Sequence, residues 1–139
     1  MLYTRLTHPA ILEALAAAGH GSKVLIADGN YPLSTATAPG ARRVYLNLRP
    51  GQVQVTEILE TLLTAIPVEA AQVMSPGKGG EPAIFADFHR SLPALELQHV
   101  ERFAFYDLAK KAYCVIQTGE TRFYGCFVFK KGVIPPSAA

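Results

Sequence analysis

The chain has 139 residues, half of them hydrophobic and 17% charged, and this length and composition predict a single domain over residues 1–139 with an apolar core. Thirteen basic and eleven acidic residues leave a net charge of +2, which is too balanced to indicate nucleic acid or a membrane surface as a partner. No apolar run approaches the length of a membrane span, and Glu13 interrupts the apolar stretch near the N-terminus, so we expect a helix there and not a signal sequence.

Helical and extended patterns alternate along the chain. The first helix is predicted over "HPAILEALAAAG", with Pro9 in its first turn and Gly19 at its end, and a buried strand follows from Lys23 to Asp28. The later predicted elements are a polar loop over 29–42, a strand from Val44 to Leu48, a helix over 55–66, a strand over 68–74, a glycine-rich loop over 75–82, a helix over 83–92, a strand over 94–101, a helix over 102–112, and strands over 113–118 and 123–132. This order predicts an α/β fold, a three-layer α/β/α domain around a mainly parallel sheet, with a different pairing at the C-terminal end.

The segment "GHGSKVLIADGNYP" holds the first candidates for a functional site. His20 lies between two glycines ahead of the strand, and Asp28 stands at the carboxyl end of that strand, where open α/β sheets bind ligands. An imidazole suits acid/base chemistry near neutral pH, although His20 is equally consistent with a histidine in a surface loop. An aspartate ahead of a glycine is also typical of a turn residue that hydrogen-bonds its own backbone.

Other motifs indicate structure more than chemistry. The segment "PGKGGEP" lacks the spacing of a Walker phosphate loop, so a flexible connection is predicted. His8, His89 and His99 show no metal-ligand spacing, and we expect no metal site. Cys114 and Cys126 form no CxxC pair, which favours a reducing cytoplasm and, for Cys126, a buried structural thiol.

Two segments resemble the ribose pyranase and fucose mutarotase family. The first, "GHGSKVLIADGNYP", is similar to the family's "GHGDxIxxxDAxFP". The second, "ERFAFYDLAKKAYCVIQTGETRFYGCFVFKKGV", is similar to "RFAFYxRAxKAxxxxxTGExxxYGNxxxKKGV" and is closer to the fucose branch. The resemblance implies the fold of that family and the interconversion of sugar anomers by acid/base ring opening, with no cofactor.

The resemblance also implies roles for individual residues. His20 matches the family's proton donor, and Asp28 matches an aspartate that contacts the sugar. Arg102 matches the basic residue that binds substrate in fucose mutarotases, where ribose pyranases have a histidine. We therefore expect His20 to act as the general acid/base, with Asp28 and Arg102 holding sugar hydroxyls.

A second group of implied site residues lies near the C-terminus. Tyr124, Gly125 and Cys126 match a Tyr-Gly-Asn segment that contributes sugar contacts, with Tyr124 as a hydrogen-bonding or proton-relay group. From the residues alone, Tyr124 is also consistent with core packing at the start of the last strand. The family's asparagine is replaced by Cys126, and a thiol is a weaker donor and acceptor than an amide. This replacement predicts weaker binding or a changed sugar preference, unless only the backbone there touches the sugar.

The resemblance implies a monosaccharide substrate, L-fucose or a related sugar, and a homo-oligomer, a ring of ten subunits with sites between neighbours. The alternatives that stay open are a non-catalytic monosaccharide-binding or transport-accessory protein, a D-ribose pyranase-type activity, and another sugar isomerase or a structural ring protein on the same scaffold.

Overall fold

The computed structural model describes residues 1–138, in which strands and helices alternate. The elements in chain order are α1 (Pro9–Ala17), β1 (Lys23–Ala27), β2 (Arg42–Tyr45), α2 (Val55–Leu63), β3 (Val68–Met74), α3 (Ile84–Ser91), β4 (Leu97–Val100), α4 (Arg102–Ala109), β5 (Cys114–Gln117), β6 (Phe127–Lys131) and a short 3-10 helix (Pro136–Ala138). None of the helices in this described range is long and apolar enough to cross a membrane.

The strands form a six-stranded sheet in the order β2-β5-β1-β6-β3-β4. The pairs β2–β5, β5–β1 and β3–β4 are parallel, whereas β6 is antiparallel to both of its neighbours, β1 and β3. The carboxyl ends of β1, β3 and β4 therefore lie at the same edge of the sheet as the amino end of β6. We call this the carboxyl edge and the opposite one the amino edge. The mainly parallel sheet with a different C-terminal pairing is confirmed.

Helices cover both faces of this sheet. Side chains alternate along β1, so that Val24 and Ile26 belong to one buried cluster and Leu25 and Ala27 to another. The first cluster contains residues of α1, α2 and α3, and the second contains Phe105 and other residues of α4. Because both faces are buried, β1 is a continuous apolar run, as parallel-sheet strands commonly are. The predicted α/β/α layering is confirmed.

Three strand predictions differ from the structure by three or more residues at one end. The strand predicted over 94–101 covers only Leu97–Val100, because residues 93–94 form a turn. The last strand begins at Phe127 and not at 123, because Tyr124 adopts a left-handed conformation (φ 60°) that interrupts extended backbone. The second strand covers Arg42–Tyr45 and not 44–48, because its partner β5 ends at Gln117, opposite Tyr45. The residues from Thr118 to Cys126 instead form a loop at the carboxyl edge, which we call the β5–β6 loop.

Candidate active site

A cleft of about 850 Å³ opens at the carboxyl edge of the sheet. This volume is in the range of small-molecule sites. Its walls come from the segments that follow β1, β3 and β4, from α4 and from the β5–β6 loop. The lining residues are Asp28, Asn30, Tyr31, Pro32, Met74, Ser75, Pro76, Gly77, His99, Glu101, Arg102, Tyr106, Phe123, Tyr124 and Cys126.

Asp28 lies on the floor of the cleft, where β1 delivers it. Its side chain is buried, and Oδ1 accepts a hydrogen bond of 3.0 Å from the backbone N–H of Asn30. The backbone carbonyl of Asp28 accepts a hydrogen bond from the Gln117 side chain, which fastens β1 to β5 at this point. Burial raises the pKa of the Asp28 carboxyl above its ordinary value of 3.8, although hydrogen bonds from Asn30, Cys126 and Gly125 oppose the shift. The result is a carboxylate that accepts a proton more readily than an exposed aspartate does.

Cys126 and Gly125 lie against this carboxylate. The Cys126 thiol lines the cleft and is 2% exposed. Burial raises the pKa of that thiol, and the neighbouring Asp28 charge adds to the effect, so Cys126 remains protonated at neutral pH. Gly125 is buried, and a Cβ there would lie 2.9 Å from the Glu120 side chain and 3.2 Å from Cβ of Asp28. Glycine at this position therefore allows the loop to approach Asp28 closely.

Tyrosine rings form one apolar wall of the cleft. Tyr31 follows the first strand and Tyr106 comes from α4, and their ring centroids are 5.6 Å apart. The hydroxyl of Tyr31 donates to the backbone carbonyl of Ala36, and burial raises the pKa of that hydroxyl. Tyr31 is therefore a neutral, fixed surface against which the apolar face of a ligand can pack.

Two polar side chains stand on the other side of the cleft, where β4 leads into α4. Arg102 is the first residue of α4, is exposed, and makes no hydrogen bond or ion pair within residues 1–138. His99 is on β4, with its ring at right angles to that of Phe85 and 5.3 Å from it. Glu101 caps α4 through hydrogen bonds from the backbone N–H groups of Phe103 and Ala104. The guanidinium of Arg102 is thus free to donate to a ligand.

The β5–β6 loop is held by an ion-pair network. The Glu120 carboxylate, on a residue that is 2% exposed, accepts hydrogen bonds from the backbone N–H groups of Thr121 and Arg122 and from Nε and Nη2 of Arg122. Arg122 also donates through Nη1 to Oδ2 of Asp87 on α3, at 2.7 Å. Burial opposes ionisation of Glu120, but the hydrogen bonds from Arg122 outweigh it and hold the pKa of this carboxyl below its ordinary value. The network fixes the loop that carries Tyr124 into the cleft.

His20 lies at the amino edge, away from the cleft. The turn that carries it joins α1 to β1, with Gly21 in a left-handed conformation (φ 82°) and its N–H bonded to the carbonyl of Lys131. The five residues of β1 span about 16 Å and separate this turn from Asp28. Within one protomer, the imidazole of His20 therefore does not reach the Asp28 carboxylate.

The structure thus brings together Asp28, Arg102, Tyr124 and Cys126 around one cleft, with Gly125 directly behind Asp28. It places His20 elsewhere. His99 also lines the cleft, a role that its lack of metal-ligand spacing did not predict, although it stands three positions ahead of Arg102. No group of three or more His, Cys, Asp or Glu side chains in the described part of the chain is arranged to hold a metal ion.

Comparisons with known proteins connect the chain to a family. Residues 1–134 match the model of the RbsD / FucU transport protein family. The chain is 38% identical to a fucose mutarotase of Danio rerio, in an alignment that covers 92% of this chain and 90% of that protein.

Two solved structures share the fold. The fucose mutarotase of Streptococcus pneumoniae in complex with L-fucose superposes with a TM-score of 0.85 at 25% identity, over 97% of this chain and 100% of that one. Bacillus subtilis RbsD complexed with D-ribose superposes with a TM-score of 0.86 at 24% identity, with the same coverage. The match over nearly the whole length, by sequence and by fold, shows that the chain belongs to the RbsD / FucU family.

Proposed function

We propose that the protein is a sugar mutarotase that interconverts the anomers of a reducing monosaccharide, L-fucose or a related sugar. The observation that carries the proposal is the composition of the cleft. Asp28, Arg102 and Tyr124 place an acceptor, a cationic donor and a hydroxyl around one space with an aromatic wall, which suits a ligand that is polar at its edges and apolar on its faces. The relatives named fucose mutarotase and the fucose-bound neighbour support L-fucose.

The proposed reaction opens and recloses the sugar ring. His20 donates a proton to the ring oxygen while the C1–O5 bond breaks, and the anomeric hydroxyl gives its proton to the Asp28 carboxylate, with Tyr124 as a hydrogen-bonding partner and proton relay. The raised pKa of Asp28 suits it to accept that proton. The open-chain aldehyde then turns about C1–C2 and recloses on its other face, and both protons return. Because protons move and no net electron transfer occurs, the reaction calls for no redox cofactor.

His20 enters this reaction from a neighbouring copy of the chain. We propose a homo-oligomer, a cytoplasmic ring of ten subunits as the family resemblance implies, in which His20 of one copy faces the cleft of the next. The exposed rings of Phe103 and Phe123, which are 72% and 78% accessible, stand beside Arg102 and Tyr124 and supply apolar surface for such a contact. Two free, buried cysteines fit a reducing compartment. A monomer found by light scattering at micromolar concentration would contradict the proposed ring of ten subunits.

A mixing experiment tests the shared site. His20→Ala and Asp28→Asn are each expected to be inactive, but oligomers reassembled from an equal mixture should regain activity in about one site in four, because each site draws the two groups from different copies. A mixture that stays inactive, although mass spectrometry shows mixed assemblies, would place both groups in the same protomer.

The function itself is tested by NMR exchange measurements on L-fucose, D-ribose, D-galactose and L-rhamnose, with and without the protein. Faster exchange between the α and β anomeric protons of one sugar would establish the reaction and name the substrate. Enhancement only for D-ribose would support the pyranase alternative. Binding without faster exchange would support a non-catalytic sugar-binding protein, the alternative that the Asn-to-Cys replacement at Cys126 favours.

A further inference from the structure

A carboxylate that takes no part in the proposed ring opening holds the imidazole of His20. Nε2 of His20 lies 2.9 Å from Oε2 and 3.1 Å from Oε1 of Glu69. Glu69 is on β3 at the amino edge, at an irregularity of the β3–β6 pairing between Val68 and Ala70. Such a bulge redirects a side chain relative to regular pairing, and here it accompanies a side chain that reaches across to the turn between α1 and β1.

A lysine on the neighbouring strand contacts the same carboxylate. Nζ of Lys130 lies 2.7 Å from Oε1 of Glu69. Lys130 and His20 together hold the pKa of the Glu69 carboxyl below its ordinary value. Glu69 is therefore ionised at neutral pH, and an ionised carboxylate can only accept hydrogen bonds.

This arrangement fixes the tautomer of the histidine. Because Glu69 accepts, Nε2 of His20 must carry the hydrogen, and the other ring nitrogen, Nδ1, makes no hydrogen bond within residues 1–138. The side chain of His20 is 57% exposed, so Nδ1 is accessible to a partner outside its own protomer. The bond at one nitrogen thus decides which nitrogen is available for chemistry.

We propose that Glu69 is a positioning residue that holds His20 with Nε2 protonated, so that Nδ1 is the atom that exchanges the proton with the sugar. The inference rests on the proposed mutarotase function and specifies its acid. In this step His20 starts as the imidazolium, with a hydrogen on each ring nitrogen. Donation of the Nδ1 proton to the ring oxygen leaves the neutral Nε2–H form, which is the form that the Glu69 carboxylate binds. Lys130 keeps the carboxylate in place from the other side.

Kinetics of the assembled protein give the first test. Glu69→Gln replaces the carboxylate with an amide of similar shape, and we expect the maximal exchange rate to fall by about ten- to a hundredfold, the scale of acid/base effects in enzymes. The sugar concentration at half-maximal rate should change by less than about twofold, because Glu69 does not contact the sugar. Glu60→Gln, which removes another exposed carboxylate on α2, should leave both quantities unchanged.

Nitrogen-15 NMR of the histidine ring gives a test that does not depend on activity. In the neutral ring, reached by raising the pH until the nitrogen-15 shifts no longer change, the wild-type His20 signal, assigned with His20→Ala, should show hydrogen on Nε2 and none on Nδ1. In Glu69→Gln we expect a mixture of tautomers or the Nδ1–H form, because an amide can donate to Nε2.

The outcomes separate the two claims. A wild-type protein that accelerates no sugar would contradict the mutarotase function, while the spectra still decide whether Glu69 fixes the tautomer. A wild-type His20 protonated on Nδ1, or Glu69→Gln with an unchanged exchange rate, would overturn the role of Glu69. If Glu69→Gln fails to assemble by light scattering, Glu69→Asp is measured instead, with a smaller loss of rate expected and the same contradictions.

Discussion

The ion-pair network of Arg122 predicts how the free energy of unfolding depends on the loop that carries Tyr124 into the cleft. Arg122→Met removes both guanidinium contacts to Glu120 and the ion pair to Asp87, and leaves the Glu120 carboxylate with two backbone donors. Removing one partner of a buried ion pair costs about 3–5 kcal/mol. Since the Arg122 side chain is 35% exposed, water can reach the vacated position, and we expect a loss at the lower end, about 3 kcal/mol.

The charge of Glu120, and not a general loss of packing, should cause most of this effect. Adding Glu120→Gln to Arg122→Met removes the buried charge, so the double variant should be more stable than Arg122→Met alone by about 1 kcal/mol or more. Arg90→Met is the matched control. It also removes an arginine from Asp87, but the Arg90 side chain is 76% exposed, and its loss should cost less than about 0.5 kcal/mol.

Urea unfolding followed by circular dichroism, at a fixed protomer concentration, measures these differences. With a dependence of about 2 kcal/mol per molar urea, Arg122→Met should lower the midpoint by about 1.5 M. Because the same loop carries Tyr124, the variant should also lose exchange activity below its unfolding range. The reasoning would be refuted if Arg122→Met lost no more free energy of unfolding than Arg90→Met. It would also be refuted if the losses of Arg122→Met and Glu120→Gln, measured singly, simply added in the double variant.

Three further predictions concern the cleft and the response to acid. Arg102→Met should raise the half-saturating sugar concentration by about ten- to a hundredfold, the worth of a charged hydrogen bond, with little change in the urea midpoint; unchanged saturation would contradict a substrate contact. Cys126→Asn should lower the half-saturating sugar concentration by about fivefold through one added hydrogen bond, whereas Cys114→Ala should not alter it. Equal half-saturating concentrations in the wild type and both variants would exclude Cys126 as a specificity residue. Hydrogen bonds from Arg122 hold the pKa of the Asp87 carboxyl below its ordinary value of 3.8. Burial acts to raise the pKa of the Glu120 carboxyl, but the hydrogen bonds from Arg122 outweigh it, and this pKa lies below its ordinary value of 4.5. The stabilisation from both carboxylates is complete above those ordinary values and is lost as the pH falls through the lowered ones. Urea midpoints measured from about pH 6 to pH 3 should therefore fall more steeply for the wild type than for Arg122→Met. Parallel curves for the two proteins would contradict this assignment.

Local patterns predicted much of the framework. The apolar run ahead of Asp28 forms a strand because both of its faces are covered, and the alternation of helices and strands leads to a layered sheet. The position of Asp28 at the carboxyl edge follows from the same pattern. The resemblance to known proteins added Arg102, Tyr124 and Cys126, which no periodicity would have selected.

Contacts between distant segments were the part that the sequence did not reveal. His20 and Asp28 are eight positions apart and looked like one site, but the strand between them sends them to opposite edges of the sheet. Glu69 meets His20 only because β6 brings β3 near the amino end of β1, and they are 49 positions apart. The left-handed Tyr124 was hidden within an apolar run that is otherwise typical of a strand.

The most direct test of the whole account is the rate of anomer exchange of L-fucose, measured by two-dimensional proton exchange NMR on the wild type and on His20→Ala. We expect the wild type to raise the α/β exchange rate above that of buffer. His20→Ala should return it to the buffer value while fucose binding stays measurable, and His8→Ala should behave as the wild type. If His20→Ala exchanged the anomers at a rate near that of the wild type, the proposed acid would be wrong, and with it the shared site between neighbouring copies.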